Sequence, residues 1–147
     1  MLRRCLLLLT ALLAFGARAE VINIDAAEAA RLSAGGVPLV DVRTEGEWRD
    51  TGVVPGSRLI TYFDEQGRSD ASVWLEKLKP IAKPDQPVIV ICRSGNRSQK
   101  VAQMLSQQAG YRTVYNVKEG VRGWAKEGRA LTPATTAQVG CKPPRTC

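Results

Sequence analysis

Residues 88–102 read Val88-Ile89-Val90-Ile91-Cys92-Arg93-Ser94-Gly95-Asn96-Arg97-Ser98-Gln99-Lys100-Val101-Ala102. The first four are β-branched and apolar, with no polar residue between them. A strand with that composition is buried on both faces, as in a parallel sheet covered by helices. A cysteine ends the run. Two arginines, two serines, a glycine and an asparagine follow, and then apolar residues recur at helical spacing. Strand, polar loop and helix start therefore meet at a single thiol.

The neighbouring segments repeat the alternation. Val21–Ile24 is a strand candidate, and Asp25 with Glu28 has the spacing of a capping box ahead of a helix that stops near Gly35 and Gly36. Pro38–Val42 reads as a second buried strand, and Thr44 caps a short helix over Glu45–Arg49. Ser57–Ile60 is a short strand after a turn at Gly52–Gly56. A polar loop over Thr61–Arg68 precedes a helix with Trp74, Leu75 and Leu78 on one face, ending at Pro80. The helix after Cys92 is predicted over Arg97–Ala109, with Val101, Met104, Leu105 and Gln108 on its apolar face. Thr113–Val117 is a further strand, and Gly120–Trp124 begins a last helix. The expectation is an α/β domain with a central, mostly parallel sheet flanked by helices on both faces. Such sheets bind ligands beyond the carboxyl ends of their strands, and Cys92 stands at such an end.

The N-terminal residues read differently. Arg3 and Arg4 precede an apolar run from Cys5 to Phe15, too short to span a bilayer, and Ala17-Arg18-Ala19 fits a cleavage site. Residues 1–19 are thus predicted to be a secretory signal peptide, with export across the inner membrane to the periplasm and no membrane attachment after cleavage. The domain is assigned to residues 20–130, and the Thr-, Pro- and Ala-rich residues 131–147 to an extended tail. Loss of Arg3, Arg4 and Arg18 takes Lys plus Arg from 21 to 18 against 14 Asp plus Glu, so the net charge falls from +7 to +4. With no basic stripe interleaved with aromatics, nucleic acid is not expected as a partner.

The chain contains no histidine. That removes a His general base, a Ser-His-Asp or Cys-His pair, and most zinc sites. No metal and no cofactor are expected. Cys92, Cys141 and Cys147 would remain after cleavage, an odd number for an oxidising compartment. One reading closes Cys141 and Cys147 into a local disulfide and leaves Cys92 free. Others make a tail thiol the disulfide partner of Cys92, or leave the tail unpaired or paired between molecules.

Cys92 can do its work without a separate base. The first N–H groups of a helix lack partners within it, Gly95 lets the backbone curl, and Arg93 and Arg97 add charge. Free thiols titrate near ~8.5, and helix N-termini with nearby cations bring that down to ~3.5–7.5. Arg93, Ser94, Gly95, Asn96, Arg97 and Ser98 are accordingly the candidate substrate-binding loop around a Cys92 nucleophile.

At these segments the chain resembles the rhodanese family. Leu39–Ile60 (LVDVRTEGEWRDTGVVPGSRLI), Val88–Leu105 (VIVICRSGNRSQKVAQML) and Ala109–Gly128 (AGYRTVYNVKEGVRGWAKEG) match its motifs in order. The resemblance implies a thiosulfate sulfurtransferase-type enzyme. Cys92 would carry sulfane sulfur as a persulfide, taken from thiosulfate or a similar small anionic donor. The sulfur would pass to cyanide or a thiol, including a protein cysteine, and on one reading a tail thiol, Cys141 or Cys147, receives it. It also implies that Asp41, Arg43 and Glu47 hold the fold near the site, and that Trp124 anchors the core. Two positions depart from the pattern: Gly52-Val53-Val54-Pro55-Gly56 lacks the frequent histidine, and Glu119-Gly120 replaces a paired glycine.

The same fold serves some phosphatases and arsenate reductases, in which five residues separate the cysteine from an arginine. Here Ser98 is the sixth residue after Cys92, and Arg97 comes one position early. The six-residue loop from Cys92 to Arg97 favours sulfur over a phosphoryl group. A non-catalytic binding or thiol-redox module is the alternative from another class, since an activated thiol is also oxidised readily.

Overall fold

The structure, a computed structural model, describes residues 19–135. The signal peptide expected over residues 1–19 and the cysteines at 141 and 147 therefore lie outside the described residues, apart from Ala19. Five strands and five helices alternate: β1 (Glu20–Ile24), α1 (Ala26–Ala34), β2 (Leu39–Asp41), α2 (Glu45–Thr51), β3 (Arg58–Leu59), α3 (Ala71–Leu78), β4 (Val88–Ile91), α4 (Asn96–Gln107), β5 (Thr113–Val117) and α5 (Gly120–Lys126). The sheet runs in the order β1-β5-β4-β2-β3, and all four pairings are parallel.

Side-chain alternation along β4 divides the core. Val88 and Val90 face Trp74 and Leu78 of α3 and Val101, Ala102, Met104 and Leu105 of α4. Ile89 and Ile91 face Ala26 and Ala29 of α1 and Val121 and Trp124 of α5. Helices thus cover both faces, which is why β4 is apolar throughout. Cys92 continues the alternation onto the α3/α4 side.

The chain direction places the site. From β2 it steps outward to β3. It then returns to β4 and continues the other way to β5. The order reverses between β2 and β4, and a crevice opens there at the carboxyl ends of the strands. The helices that follow those two strands, α2 and α4, flank it.

Local details refine the sequence reading. Asp25 Oδ1 accepts the Glu28 N–H at 2.8 Å, but the Glu28 carboxylate turns to Arg31, so the capping box stays half-made. Thr44 and Glu47 close a full box. The helix after Cys92 starts at Asn96 and ends at Gln107. Gly110, at φ 75°, turns the chain so that the Tyr111 N–H returns to the Leu105 carbonyl at 3.0 Å. Gln108 is consequently exposed, and Ala102, which the predicted apolar face did not include, is buried. Val53 and Thr132 exchange both backbone hydrogen bonds, at 2.8 and 2.9 Å, and this ties the chain beyond α5 to the domain.

An ion pair holds the end of β2. Arg43 and Asp41 are 1 % and 0 % exposed, with Nη2 of Arg43 2.7 Å from Oδ2 of Asp41. The guanidinium also donates to Thr51 Oγ1 and the Gly52 carbonyl, so each of its three nitrogens has an acceptor. Deleting one member of a buried pair strands the other charge, at about 3–5 kcal/mol. Asp41→Ala is predicted to cost about that much in urea unfolding, and replacement of both residues by apolar ones should recover part of the loss.

Candidate active site

Cys92 follows β4 directly and is 1 % exposed. The loop after it depends on the turn between β5 and α5. The Val121 N–H donates to the Cys92 carbonyl at 2.8 Å, and the Arg122 N–H to the Arg93 carbonyl at 3.1 Å. Two loop carbonyls are thereby drawn onto the amino end of α5. Such close contact needs two glycines. A Cβ on Gly95 (φ 94°) would stand 2.0 Å from the Lys118 carbonyl oxygen, and one on Gly120 (φ 60°) 2.3 Å from the Cys92 oxygen. Both conformations are costly for other residues.

With its carbonyls engaged, the loop has N–H groups to spare. The Gly95 N–H donates to Cys92 Sγ at 3.1 Å. Helix α4 makes its first backbone bond from the Gln99 N–H to the Gly95 carbonyl, so the N–H groups of Asn96, Arg97 and Ser98 precede the hydrogen-bonded ladder. Among the described residues, Gly95 alone of the amides expected to converge on the sulfur reaches it. The other three are donors for an incoming anion, assisted by the helix dipole.

Ser98 is fully buried and adjoins the sulfur. Its hydroxyl lies 2.6 Å from Asn116 Oδ1, 3.2 Å from the Gly95 carbonyl and 3.3 Å from Cys92 Sγ. Nδ2 of Asn116 donates to Asn23 Oδ1 and Gln99 Oε1, both at 2.8 Å, which fixes Oδ1 as the acceptor. A hydroxyl has one proton to give, and the shortest contact assigns it to Asn116. Ser98 then offers a lone pair to a Cys92 thiol, or rotates to donate to a thiolate.

The two arginines part company. Arg97 makes a two-pronged bridge to Glu47, at 2.6 and 2.8 Å, across the crevice from α4 to α2. Glu47, read from sequence as a fold-holding group, thus also orients a loop cation. Burial opposes its ionisation, but the Arg97 hydrogen bonds and charge and the Thr44 N–H prevail, and its carboxyl is held at about 2 rather than the usual 4.5. In return Glu47 raises the Arg97 pKa, against the effect of burial, with further support from the charges of Cys92 and Asp41. The Arg97 charge is therefore shared with Glu47, and does not face the sulfur undivided as the sequence suggested. Arg93, Ser94 and Asn96 are exposed at the rim. Trp124 is buried, with its Nε1–H donating to the Ala130 carbonyl at 3.0 Å.

Asn116 was missed in the sequence. A polar residue inside the apolar run Thr113–Val117 was the available signal, because buried amides are nearly always partnered.

The Glu47–Arg97 pair has a definite pH signature. A depressed carboxyl contributes stability that is full above its unfolded value, near 4.5, and is lost as pH falls through about 2. Urea unfolding of the native chain and of Glu47→Gln should therefore show a stability margin at neutral pH that shrinks steadily below pH ~4.5. A margin independent of pH would contradict the assignment.

Comparison with known proteins agrees with this architecture. A model of the rhodanese-like domain matches residues 25–127. The chain is 33 % identical over 109 residues to thiosulfate sulfurtransferase 18 of Arabidopsis thaliana, covering 71 % of this chain and 79 % of that one. It is 36 % identical over 97 residues to a rhodanese domain-containing protein of Drosophila melanogaster, CG4456, covering 63 % and 86 %. Among solved structures, Rv0390 from M. tuberculosis superposes with a TM-score of 0.64 at 27 % identity, over 78 % of this chain and 98 % of that one. The motif order, the parallel sheet and these likenesses together mean that the chain belongs to the rhodanese family.

Proposed function

We propose that this domain is a sulfurtransferase that works through a persulfide on Cys92. The observation that carries the reading is a loop whose carbonyls at Cys92 and Arg93 are engaged by α5 while, among the described residues, the amides of Asn96, Arg97 and Ser98 have no acceptor. Thiosulfate is a donor of the expected kind. The Cys92 thiolate attacks its outer sulfur, the S–S bond of the donor breaks, and sulfite leaves with the electron pair. Loop amides and the Arg97 guanidinium stabilise the departing charge. The persulfide then yields its outer sulfur to cyanide or to a thiol, and Cys92 returns as thiolate. Substrate charge is met by backbone donors and arginine, so the absence of histidine is no obstacle.

The sulfurtransferase name of the Arabidopsis thaliana relative supports this reading over a purely binding role. The six residues from Cys92 to Arg97 support sulfur over phosphate. Treatment with thiosulfate should add the mass of one sulfur atom to the native protein, and cyanide should remove it. Cys92→Ser should neither gain the mass nor turn over; activity in that variant would exclude the mechanism.

We further infer export, with cleavage after Ala19. Glu20 is the first residue of β1, where it pairs with Thr113, so a chain processed there keeps the whole strand. The intact mass of protein recovered from a periplasmic extract should correspond to a start at Glu20. A full-length mass in that fraction would contradict cleavage.

A further inference from the structure

Three exposed cations surround the loop without being needed to hold it. Arg93 lies in the loop, Lys118 begins the turn between β5 and α5, and Arg122 is in the first turn of α5. Their backbones are locked together. The Arg122 N–H reaches the Arg93 carbonyl at 3.1 Å, and the Lys118 carbonyl lies directly against Gly95. Among the described residues, none of the three side chains has a hydrogen bond or an ion pair. Elsewhere Arg31, Arg49, Arg68 and Arg129 each hold a nearby carboxylate. Arg58, Arg112, Lys77, Lys83, Lys100 and Lys126 likewise show no side-chain partner among the described residues, but Arg58, Arg112 and Lys83 stand at or ahead of the starts of β3, β5 and β4, at the other end of the sheet, Lys77 and Lys126 in the last turns of α3 and α5, and Lys100 within α4. One acid interrupts the group. Glu119 folds along α5, where a Cβ on Gly123 would stand 3.1 Å from its Oε2.

A small donor does not require this ring. The loop amides and Arg97 already meet a compact anion inside the site. Free cations at the rim act at longer range. They draw an oppositely charged surface in and orient it, and they do so in a salt-dependent way.

We propose that Arg93, Lys118 and Arg122 form a docking collar for an acidic segment of a protein that carries the acceptor thiol. The inference rests on the sulfur-transfer reading of Cys92 and names its second substrate: a cysteine flanked by Asp or Glu. In the transfer, the acceptor thiolate attacks the outer sulfur of the Cys92 persulfide. The bond between that sulfur and Cys92 Sγ breaks, its electron pair stays on Cys92, and the acceptor becomes the persulfide. No oxidant or reductant is consumed.

The test separates loading from discharge. Native protein is loaded with thiosulfate, freed of excess donor, and mixed with cysteine peptides of equal length flanked by Glu or by Lys. Uncharged 2-mercaptoethanol serves as the small acceptor. The Glu-flanked peptide should discharge the persulfide about tenfold faster than the Lys-flanked one at low salt. The preference should fade as ionic strength rises from about 0.02 to about 0.5 M. Lys118→Glu combined with Arg122→Glu alters side chains alone and keeps the backbone N–H by which residue 122 holds the loop, so it should reverse the preference and leave discharge to 2-mercaptoethanol within about twofold. If that variant does not fold, Lys118→Gln with Arg122→Gln and the salt series on native protein carry the test. Equal rates for the two peptides, or a preference that salt does not change, would overturn the collar. So would binding to vesicles of anionic lipid without any peptide preference, which would point to a membrane surface. Failure to load with thiosulfate would be a separate result, removing the sulfur-transfer reading and the collar with it.

Discussion

The site depends on two hydrogen bonds that do not touch the sulfur. The N–H groups of Val121 and Arg122 take up the carbonyls of Cys92 and Arg93. A peptide plane cannot point both its carbonyl and its N–H to the same side. Engaging those oxygens on α5 therefore turns the N–H groups of Arg93 and Ser94, which share their peptide planes, away from α5 and anchors the start of the loop. Gly95 and Gly120 make the contact possible, since any side chain at either position would collide with backbone. A seven-residue helix at the end of the domain thus shapes a loop that follows the central strand.

A second constraint acts across the crevice. The reversal of strand order between β2 and β4 leaves α2 and α4 on opposite sides of a gap. The Glu47–Arg97 bridge spans that gap over fifty positions of sequence. The capping box at Thr44 fixes Glu47, and the buried Asp41–Arg43 pair fixes the strand end just before it. Charge at the site is consequently graded. The Arg97 charge is restrained by a carboxylate, while among the described residues the first amides of α4 and the side chains of the rim cations have no partner. That gradation suits a reaction in which a small anion enters, an anion leaves, and a larger acceptor follows.

Much of this was legible in the sequence because local chemistry and tertiary role coincide. Four consecutive β-branched residues at Val88–Ile91 admit little besides a doubly covered strand, and Thr44 with Glu47 spells its own cap. Cys92 stood out because a polar, basic, glycine-bearing loop is ill suited to an inert core position. What escaped the reading depends on partners distant in sequence. Arg97 looked like a free charge, since Glu47 lies far back in the chain. Asn116 reads in sequence only as part of the strand Thr113–Val117, and its purpose emerges only beside Ser98, Asn23 and Gln99. Gln108 fitted the helical period, but Gly110 ends the helix before that period applies.

The account rests on the direction in which the loop amides face when sulfur is bound. The most direct measurement is a crystal structure of the protein after treatment with thiosulfate. It should show an added sulfur on Cys92 Sγ with amides of the Gly95–Ser98 segment within ~3.5 Å, and the Cys92 and Arg93 carbonyls still bound to α5. An added sulfur lying against loop carbonyls, or a loop released from α5 on loading, would contradict it.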